Sequence, residues 1–166
     1  MAAQSTEALP SGAQKTEGHI FFSNPSIHNK DADKIRDYLT KNGHRCWMAK
    51  HDLAGKNAIG AAGVTLVRQA MDEASAIVVG YSFPYKLSIR CQQELTYAIA
   101  KNKHIIPIKL QKNYKADGKL GLKLAAYKGF DMSQSDQFDK NAKVLLEMVK
   151  SRPKEETYAN LHYSNM

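Results

Sequence analysis

An uninterrupted apolar run in the middle of the chain restricts the fold more than any other segment. The run is Ser75-Ala-Ile-Val-Val-Gly-Tyr81, and it contains no charged side chain. A strand with one face in water alternates apolar and polar residues, whereas a strand covered on both faces is apolar throughout. The run therefore predicts an interior strand of a sheet that carries helices on both of its faces.

Further strands and helices alternate along the chain. Short apolar runs predict strands at residues 19–23, 44–48, 105–110 and 127–131. Apolar residues at helical spacing predict helices at residues 31–42, 64–74, 88–102 and 136–149. Residues 49–63 contain glycines and no clear period, so a loop is expected there. This alternation is typical of an α/β fold with a parallel sheet, in which ligands bind beyond the carboxyl ends of the strands.

The two ends of the chain lack this alternation. Residues 1–18 are rich in alanine, serine, glycine, threonine and glutamine, and they predict a disordered leader. Residues 151–166 predict a flexible polar tail. The globular domain is therefore expected at residues 19–150.

The sequence indicates neither membrane insertion nor secretion. No stretch approaches the roughly 20 apolar residues that span a bilayer, and the N-terminus lacks a basic region followed by an apolar one. Cys46 and Cys91 match neither a disulfide framework nor a metal-ligand spacing, and the histidines are not paired at metal-binding intervals. We expect a cytoplasmic protein with no metal site and no membrane contact.

The net charge of +8 raises the question of nucleic-acid binding. The lysines are scattered, and no helix-turn-helix, zinc finger or aromatic ribonucleoprotein motif is visible, so nucleic acid is not a predicted partner. The charge instead favours a general attraction for anionic ligands, including a dinucleotide.

One carboxylate stands beside an apolar stripe. In the helix that follows the apolar run, Cys91, Leu95 and Ala98 share one face, and Glu94 lies one turn after Cys91. Glu94 is therefore expected to border the core near the ligand edge of the sheet, which makes it a candidate for catalysis. The alternative is an ordinary solvated helix residue.

A set of short motifs, in a fixed order, resembles one known family. The motifs are Phe21-Phe-Ser23, Gly43-His-Arg-Cys-Trp-Met-Ala49, Asp52-Leu-Ala-Gly55, Ser75-Ala-Ile-Val-Val79, Ser82, Ser88-x-x-Cys91-x-x-Glu94-Leu95 and Ile105-Ile-Pro-Ile108. The set resembles Toll/interleukin receptor (TIR) domains, nearest to those of bacteria and of some standalone eukaryotic proteins. This resemblance covers residues 19–150 and implies a flavodoxin-like, three-layer α/β fold with a five-stranded parallel sheet and helices on both faces.

The resemblance implies one of two functions. Some TIR domains are NAD⁺ glycohydrolases or ADP-ribosyl cyclases that work in immune or cell-death signalling after self-association, and in these the glutamate corresponding to Glu94 is catalytic. Others are non-catalytic adaptors that bind further TIR domains through the loop after the second strand. The enzyme is the favoured function here, with NAD⁺ as substrate, no cofactor, and TIR–TIR contacts between copies or with other TIR domains.

Cleavage of NAD⁺ at the nicotinamide–ribose bond suits a single carboxylate. Ordinary glycosidases need a second one to protonate the leaving oxygen. Nicotinamide is already cationic in NAD⁺ and leaves as a neutral molecule, so the carboxylate has only to stabilise the ribosyl cation or hold its hydroxyls. It must be ionised to do so, and we expect Glu94 to be moderately rather than completely buried.

The resemblance also implies which residues contact the dinucleotide. The expected contacts are Ser23, Asn24, Pro25, Trp47, Leu53, Gly55, Ser82, Arg90 and Cys91.

Several of these residues have a plainer interpretation. Trp47 is equally suited to core packing, and Asn24-Pro25 is also an ordinary turn. Arg90 replaces an aromatic residue of many family members and could pair with phosphate or lie exposed on its helix. Cys91 is expected to be a small buried apolar residue. The loop after Lys50 could gate the pocket or be a tolerated insertion.

Overall fold

The structure is a computed structural model that describes residues 18–56 and 60–151. The predicted leader, up to residue 17, and the predicted tail, from residue 152, lie outside the described residues. Within the described ranges, no helix is both long enough and apolar enough to cross a membrane.

A parallel sheet forms the middle layer of the domain. In the described part of the chain it has five strands in the order β2-β1-β3-β4-β5, and every neighbouring pair is parallel. The strands are β1 (Ile20–Ser23), β2 (Cys46–Trp47), β3 (Ala76–Tyr81), β4 (Ile105–Lys109) and β5 (Phe130–Asp131). The predicted five-stranded parallel α/β fold is thus confirmed, although β2 and β5 are shorter than the apolar runs that predicted them.

Helices cover both faces of this sheet. Over the residues that the structure describes, they are α1 (Asn29–Lys41), α2 (Ala49–Asp52), α3 (Ala61–Asp72), α4 (Phe83–Leu87), α5 (Ile89–Ala100), α6 (Gly118–Leu124) and α7 (Phe138–Lys150). Short 3₁₀ turns at Ser26–His28 and Ser135–Gln137 precede α1 and α7.

Alternate residues of the central strands supply two separate cores. Ile20 and Val78 face the side covered by α1 and α7, while Phe21, Ile77 and Val79 face the side covered by α3, α4, α5 and α6. Because β3 has helices against both faces, its residues from Ala76 to Gly80 are all buried. The uninterrupted apolar run is thereby explained.

The loop predicted over residues 49–63 is wrong at both of its ends. Helix α2 forms because the Asp52 carboxylate accepts a hydrogen bond from the Met48 N–H at 2.8 Å, while the Asp52 N–H donates to the Met48 carbonyl at 2.8 Å. This reciprocal arrangement resembles a capping box and needs no apolar periodicity. Helix α3 begins at Ala61, three residues before the predicted start at Val64.

Two further short helices, α4 and α6, lie in segments for which no helix was predicted. In α4, the Ser82 hydroxyl caps the first turn by accepting from the Tyr85 N–H at 3.2 Å. In α6, Leu120 and Leu124 are buried one turn apart. Gly121 is required there, since a Cβ atom would lie 2.7 Å from the Ala116 carbonyl oxygen.

Candidate active site

Helix α5 carries Glu94 in its second turn and presents it to the interior. Ser88 begins the helix by accepting a hydrogen bond from the Cys91 N–H at 3.2 Å. Cys91 and Leu95 are completely buried, and Glu94 is only 5% exposed. The carboxylate is therefore part of the core face rather than at its border, and the expectation of moderate burial is corrected to nearly complete burial.

The Glu94 carboxylate is held by hydrogen bonds from two side chains. The Ser23 hydroxyl, completely buried at the end of β1, donates to Oε1 at 3.0 Å. One guanidinium nitrogen of Arg90, Nη1, donates to Oε1 at 2.9 Å and to Oε2 at 3.0 Å. The other nitrogen, Nη2, donates to the Asn24 carbonyl oxygen at 2.8 Å. Arg90 thus joins the carboxylate to the exit of β1.

This position coincides with the point where the order of the strands reverses. The chain runs from β1 outward to β2 and then returns to β3 on the other side of β1. In open α/β sheets, the crevice beyond the carboxyl ends of the two strands at this switch point is the usual ligand site. Ser23 is the last residue of β1 and pairs in register with Val79 of β3, so Glu94 is anchored at that crevice.

Tyr85 extends the network behind the carboxylate. Its phenolic oxygen lies 2.9 Å from the Ser23 hydroxyl oxygen and donates to the Cys91 carbonyl oxygen at 3.0 Å. The whole side chain is buried. Sequence reasoning missed Tyr85, and the available signal was the Ser82-Phe-Pro-Tyr85 pattern, in which serine caps a helix with proline in its first turn.

Burial and charge act on Glu94 in opposite directions. Burial raises the pKa of Glu94 above its ordinary value, while the Arg90 charge and the hydrogen bond from Ser23 lower it in part. Burial also raises the pKa of Tyr85 well above its usual range, so this phenol stays protonated and can donate. The Glu94 carboxyl is thus buried, and its ionised form is favoured by the Arg90 charge and by the hydrogen bond from Ser23.

A cleft between α3 and α5 gives access to this cluster. Its volume is about 540 Å³, and both Glu94 and Arg90 line it. The other lining residues are Leu53, Gly60, Gly63, Val64, Val67, Arg68, Met71, Gln93 and Tyr97. The wall is therefore largely apolar, with a buried carboxylate and two arginines as its charged groups, which suits a ligand that has both a ring and an anionic group.

The other predicted contact residues have different positions. Leu53 lines the cleft, but Trp47 stacks on Phe21 with ring centroids 4.9 Å apart, as in its core-packing interpretation. Gly55 is exposed at the end of the α2 turn with a φ of 73°, which favours glycine.

Four further predicted contacts are buried around the cluster. Pro25 and Asn24 form the exit of β1, where the Asn24 amide donates to the Pro25 carbonyl oxygen at 3.0 Å. Ser82 is the buried cap of α4, and Cys91 is completely buried in the core. Burial raises the pKa of the Cys91 thiol, which argues against a nucleophilic thiolate.

Residues 18–56 and 60–151 contain no group of three or more histidine, cysteine, aspartate or glutamate side chains with a geometry for a metal ion. The site in these residues consists of a carboxylate, a guanidinium and hydroxyls.

The fold and site define a flavodoxin-like α/β protein with a buried carboxylate at the switch point of its sheet. The family model described as "TIR domain" matches residues 20–146, and the chain belongs to this family. A comparison with curated protein sequences finds no significant match.

Solved structures of the same fold come from an animal and a bacterium. The TIR domain of the Toll-related receptor TRR-2 from Hydra magnipapillata superposes with a TM-score of 0.62 at 13% identity, covering 81% of this chain and 99% of that one. The CMP N-glycosidase BcmB from Clostridium botulinum superposes with a TM-score of 0.56 at 16% identity, covering 77% of this chain and 99% of that one. At these identities the likeness concerns the fold.

Proposed function

We propose that this TIR domain cleaves NAD⁺ at the bond between nicotinamide and ribose, with Glu94 as the catalytic carboxylate. The observation that carries the proposal is a carboxylate only 5% exposed that lines the cleft between α3 and α5 and accepts a hydrogen bond from Ser23 at the end of β1. Burial of a charged group opposes folding, so a buried carboxylate at a ligand edge is typical of a functional site.

The reaction needs no partner acid. The electron pair of the C1′–N bond moves to the pyridinium nitrogen, and nicotinamide leaves as a neutral molecule. The ribosyl cation left behind is stabilised by the negative charge of Glu94 in a site with little water. Water then adds to C1′ and loses a proton, which gives ADP-ribose, and attack by another group of the same molecule would give a cyclic product.

The name of the structural neighbour BcmB supplies one supporting analogy. That protein is named as a CMP N-glycosidase, so a protein of this fold acts on an N-glycosidic bond. We carry over from it the class of bond, whereas the choice of NAD⁺ rests on the family resemblance. We also propose, from that resemblance, that the enzyme acts in the cytoplasm after self-association and serves immune or cell-death signalling.

A specific observation favours a second candidate, a non-catalytic adaptor that binds other TIR domains. Both oxygens of Glu94 accept hydrogen bonds from Arg90, and Ser23 donates to one of them. A carboxylate with this many partners is also a good structural link between α5 and β1.

Nicotinamide release separates the two candidates. The purified protein is incubated with NAD⁺ at high concentration, beside Glu94→Gln and Glu94→Ala. We expect each variant to lose at least about a hundredfold in rate, as for other groups that stabilise a transition state. Glu147→Gln is the matched control, since Glu147 is an exposed residue of α7. Undiminished release by both Glu94 variants contradicts the catalytic role, and absence of release by the wild type favours the adaptor.

A further inference from the structure

Arg90 is the outer member of the pair that it forms with Glu94. The Arg90 side chain is 44% exposed, whereas the Glu94 side chain is 5% exposed. Ser23 occupies the inner side of the carboxylate, where it is completely buried. Both residues line the cleft, and both Glu94 oxygens accept hydrogen bonds from Arg90, so a ribose can replace these bonds only after Arg90 has moved.

A phosphate group is well suited to move Arg90. Its oxygens accept two parallel hydrogen bonds from a guanidinium, with the geometry that a carboxylate also uses. A second guanidinium is close by, because Arg68 lines the same cleft and is exposed. The guanidinium carbon of Arg68 lies 5.9 Å from the centre of the Tyr97 ring, which lines the same cleft.

Four charges take part when such a substrate binds, namely those of Arg90 and Glu94 and the anionic and cationic groups of the substrate. These charges can exchange partners without leaving any of them unpaired. In the unliganded protein, Arg90 neutralises Glu94 through the contacts at 2.9 and 3.0 Å. An N-ribosylpyridinium phosphate carries an anion on its ribose and a cation on its base. Its phosphate can take Arg90, and the positive charge, which moves from the base to the ribosyl carbon as the bond breaks, can take Glu94, so the buried carboxylate keeps a counter-charge throughout.

We propose that the cleft between α3 and α5 selects N-ribosyl compounds that carry a phosphate on the ribose, and that this phosphate draws Arg90 away from Glu94. This inference rests on the proposed function and deepens it, because it names the substrate class and the specificity-determining residue. No covalent bond changes in the step, in which one ion pair is replaced by two. An N-riboside without phosphate leaves Arg90 over the carboxylate and is a poor substrate.

Binding of ribose 5-phosphate and ribose, measured by calorimetry, tests the step without turnover. We expect the wild type to bind ribose 5-phosphate in preference to ribose, but weakly, because ribose 5-phosphate has no cation to pair with the buried Glu94 once Arg90 has moved. Glu94→Gln is expected to bind ribose 5-phosphate about tenfold more tightly than the wild type, because Arg90 is no longer held by a charge. Arg90→Met is expected to weaken this binding at least about tenfold, and Arg90→Lys to give an intermediate value.

The control variant is Arg45→Met, which removes an equal charge from an exposed residue just before β2. It is expected to bind as the wild type does. Glu94→Gln binding no tighter than the wild type, or Arg90→Met binding equally well, would overturn the proposal. A purely structural role for Arg90 predicts weaker binding in both variants, so the opposite signs are the distinguishing result.

Turnover supplies the second readout. Nicotinamide release is followed from nicotinamide mononucleotide and from nicotinamide riboside, which differ only in the phosphate. The wild type is expected to favour the mononucleotide in kcat/KM by at least about tenfold, and Arg90→Met to abolish this preference. If neither these compounds nor NAD⁺ is cleaved while the binding pattern holds, the proposed function fails and the phosphate site stands. If both are cleaved with a preference unchanged in Arg90→Met, the phosphate step fails and the proposed function stands.

Discussion

At the scale of single residues, Glu94 is placed where stability alone would not put a carboxylate. It belongs to the buried face of α5 beside Leu95, and a neutral or apolar side chain would be accommodated there more easily. Its hydrogen bonds from Ser23 and Arg90 offset part of the loss of hydration. Removal of the Glu94 charge is expected to increase the free energy of unfolding.

Glu94→Gln is therefore expected to stabilise the protein at neutral pH by about 1 kcal/mol. Burial raises the pKa of Glu94 above its ordinary value of 4.5. A raised pKa in the folded state means that the wild type is most favoured when the group is protonated, and loses stability as pH rises through the folded pKa. Urea unfolding from pH 4 to pH 7 measures the difference, which should grow through this window and then level off.

Equal stability of Glu94→Gln and wild type at every pH would contradict this expectation. Glu147→Gln supplies the reference, because Glu147 is exposed and its replacement should change the free energy of unfolding little at any pH.

Ser23→Ala is expected to move the acid side of the pH–rate profile to higher pH. The Ser23 hydroxyl donates to Oε1 of Glu94 at 3.0 Å and lowers the pKa of that carboxyl. Without it, Glu94 takes up its proton at higher pH, and the ionised form that supports catalysis is lost sooner as pH falls. The measurement is kcat/KM for NAD⁺ as a function of pH.

Tyr85→Phe is the matched variant for this measurement. Its phenol reaches Glu94 only through Ser23, at 2.9 Å from the serine oxygen. Because the phenol donates its single proton to the Cys91 carbonyl oxygen and the serine donates its own to Glu94, we expect little shift in the profile, together with a loss of stability of about 1 kcal/mol from the lost hydrogen bond to Cys91. A larger shift in Tyr85→Phe than in Ser23→Ala would contradict the order of the network.

At the scale of elements, the sequence predicted the helices and strands that have a repeating pattern of apolar residues. It did not predict the short helices that depend on individual hydrogen-bonded contacts. The long helices α1, α5 and α7 and the interior strand β3 were all expected, because many residues contribute to each pattern. Helices α2, α4 and α6 have only four, five and seven residues, which is too short for a period. They depend on individual caps such as Asp52 and Ser82.

The same distinction applies to the site. Glu94 and Arg90 were identified because a motif and a helical stripe pointed to them. Arg90 pairs with Glu94 and also binds the Asn24 carbonyl oxygen. Both contacts follow from the packing of α5 against β1, which no local sequence pattern encodes. Tyr85 was missed for a related reason, since its direction is set by a five-residue helix.

The position of α2 is expected to depend on one aspartate of α1. Asp33 accepts a hydrogen bond from Lys50 at 2.5 Å and from His51 at 2.6 Å, and both donors belong to α2. Asp33→Asn should speed amide hydrogen exchange in α2 while changing the global free energy of unfolding by less than about 1 kcal/mol, because the pair is partly exposed.

The pH dependence of this contact has a definite sign. The hydrogen bond from Lys50 lowers the pKa of Asp33 below its ordinary value of 3.8. The contact is thus complete above that value and is lost as pH falls through the lowered pKa. Asp37→Asn is the control, because Asp37 is exposed on the same helix and pairs with Arg36 at 3.8 Å. Equal exchange in α2 for both variants would contradict the role of Asp33.

At the scale of the whole molecule, the net charge and the strand order both favour binding of a ligand near the switch point of the sheet. The chain carries a net charge of +8, which attracts anionic ligands before any specific contact forms. The switch point of the sheet then offers Glu94 and Arg90 beside an apolar wall. Under the proposed function, a dinucleotide is attracted by the charge of the whole molecule and selected by a few side chains of the cleft.

Self-association should make the specific activity depend on protein concentration. If neighbouring copies complete the pocket, nicotinamide release per molecule is expected to rise when the wild type is concentrated over about a hundredfold range. Inactive copies should also help, because Glu94→Gln keeps the surface of the domain. Adding Glu94→Gln protein to dilute wild type is therefore expected to increase the rate per wild-type molecule, whereas an equal mass of serum albumin is expected to leave it unchanged. A constant rate per molecule across the dilution series, with no response to the inactive copies, would mean that a single domain holds the complete site.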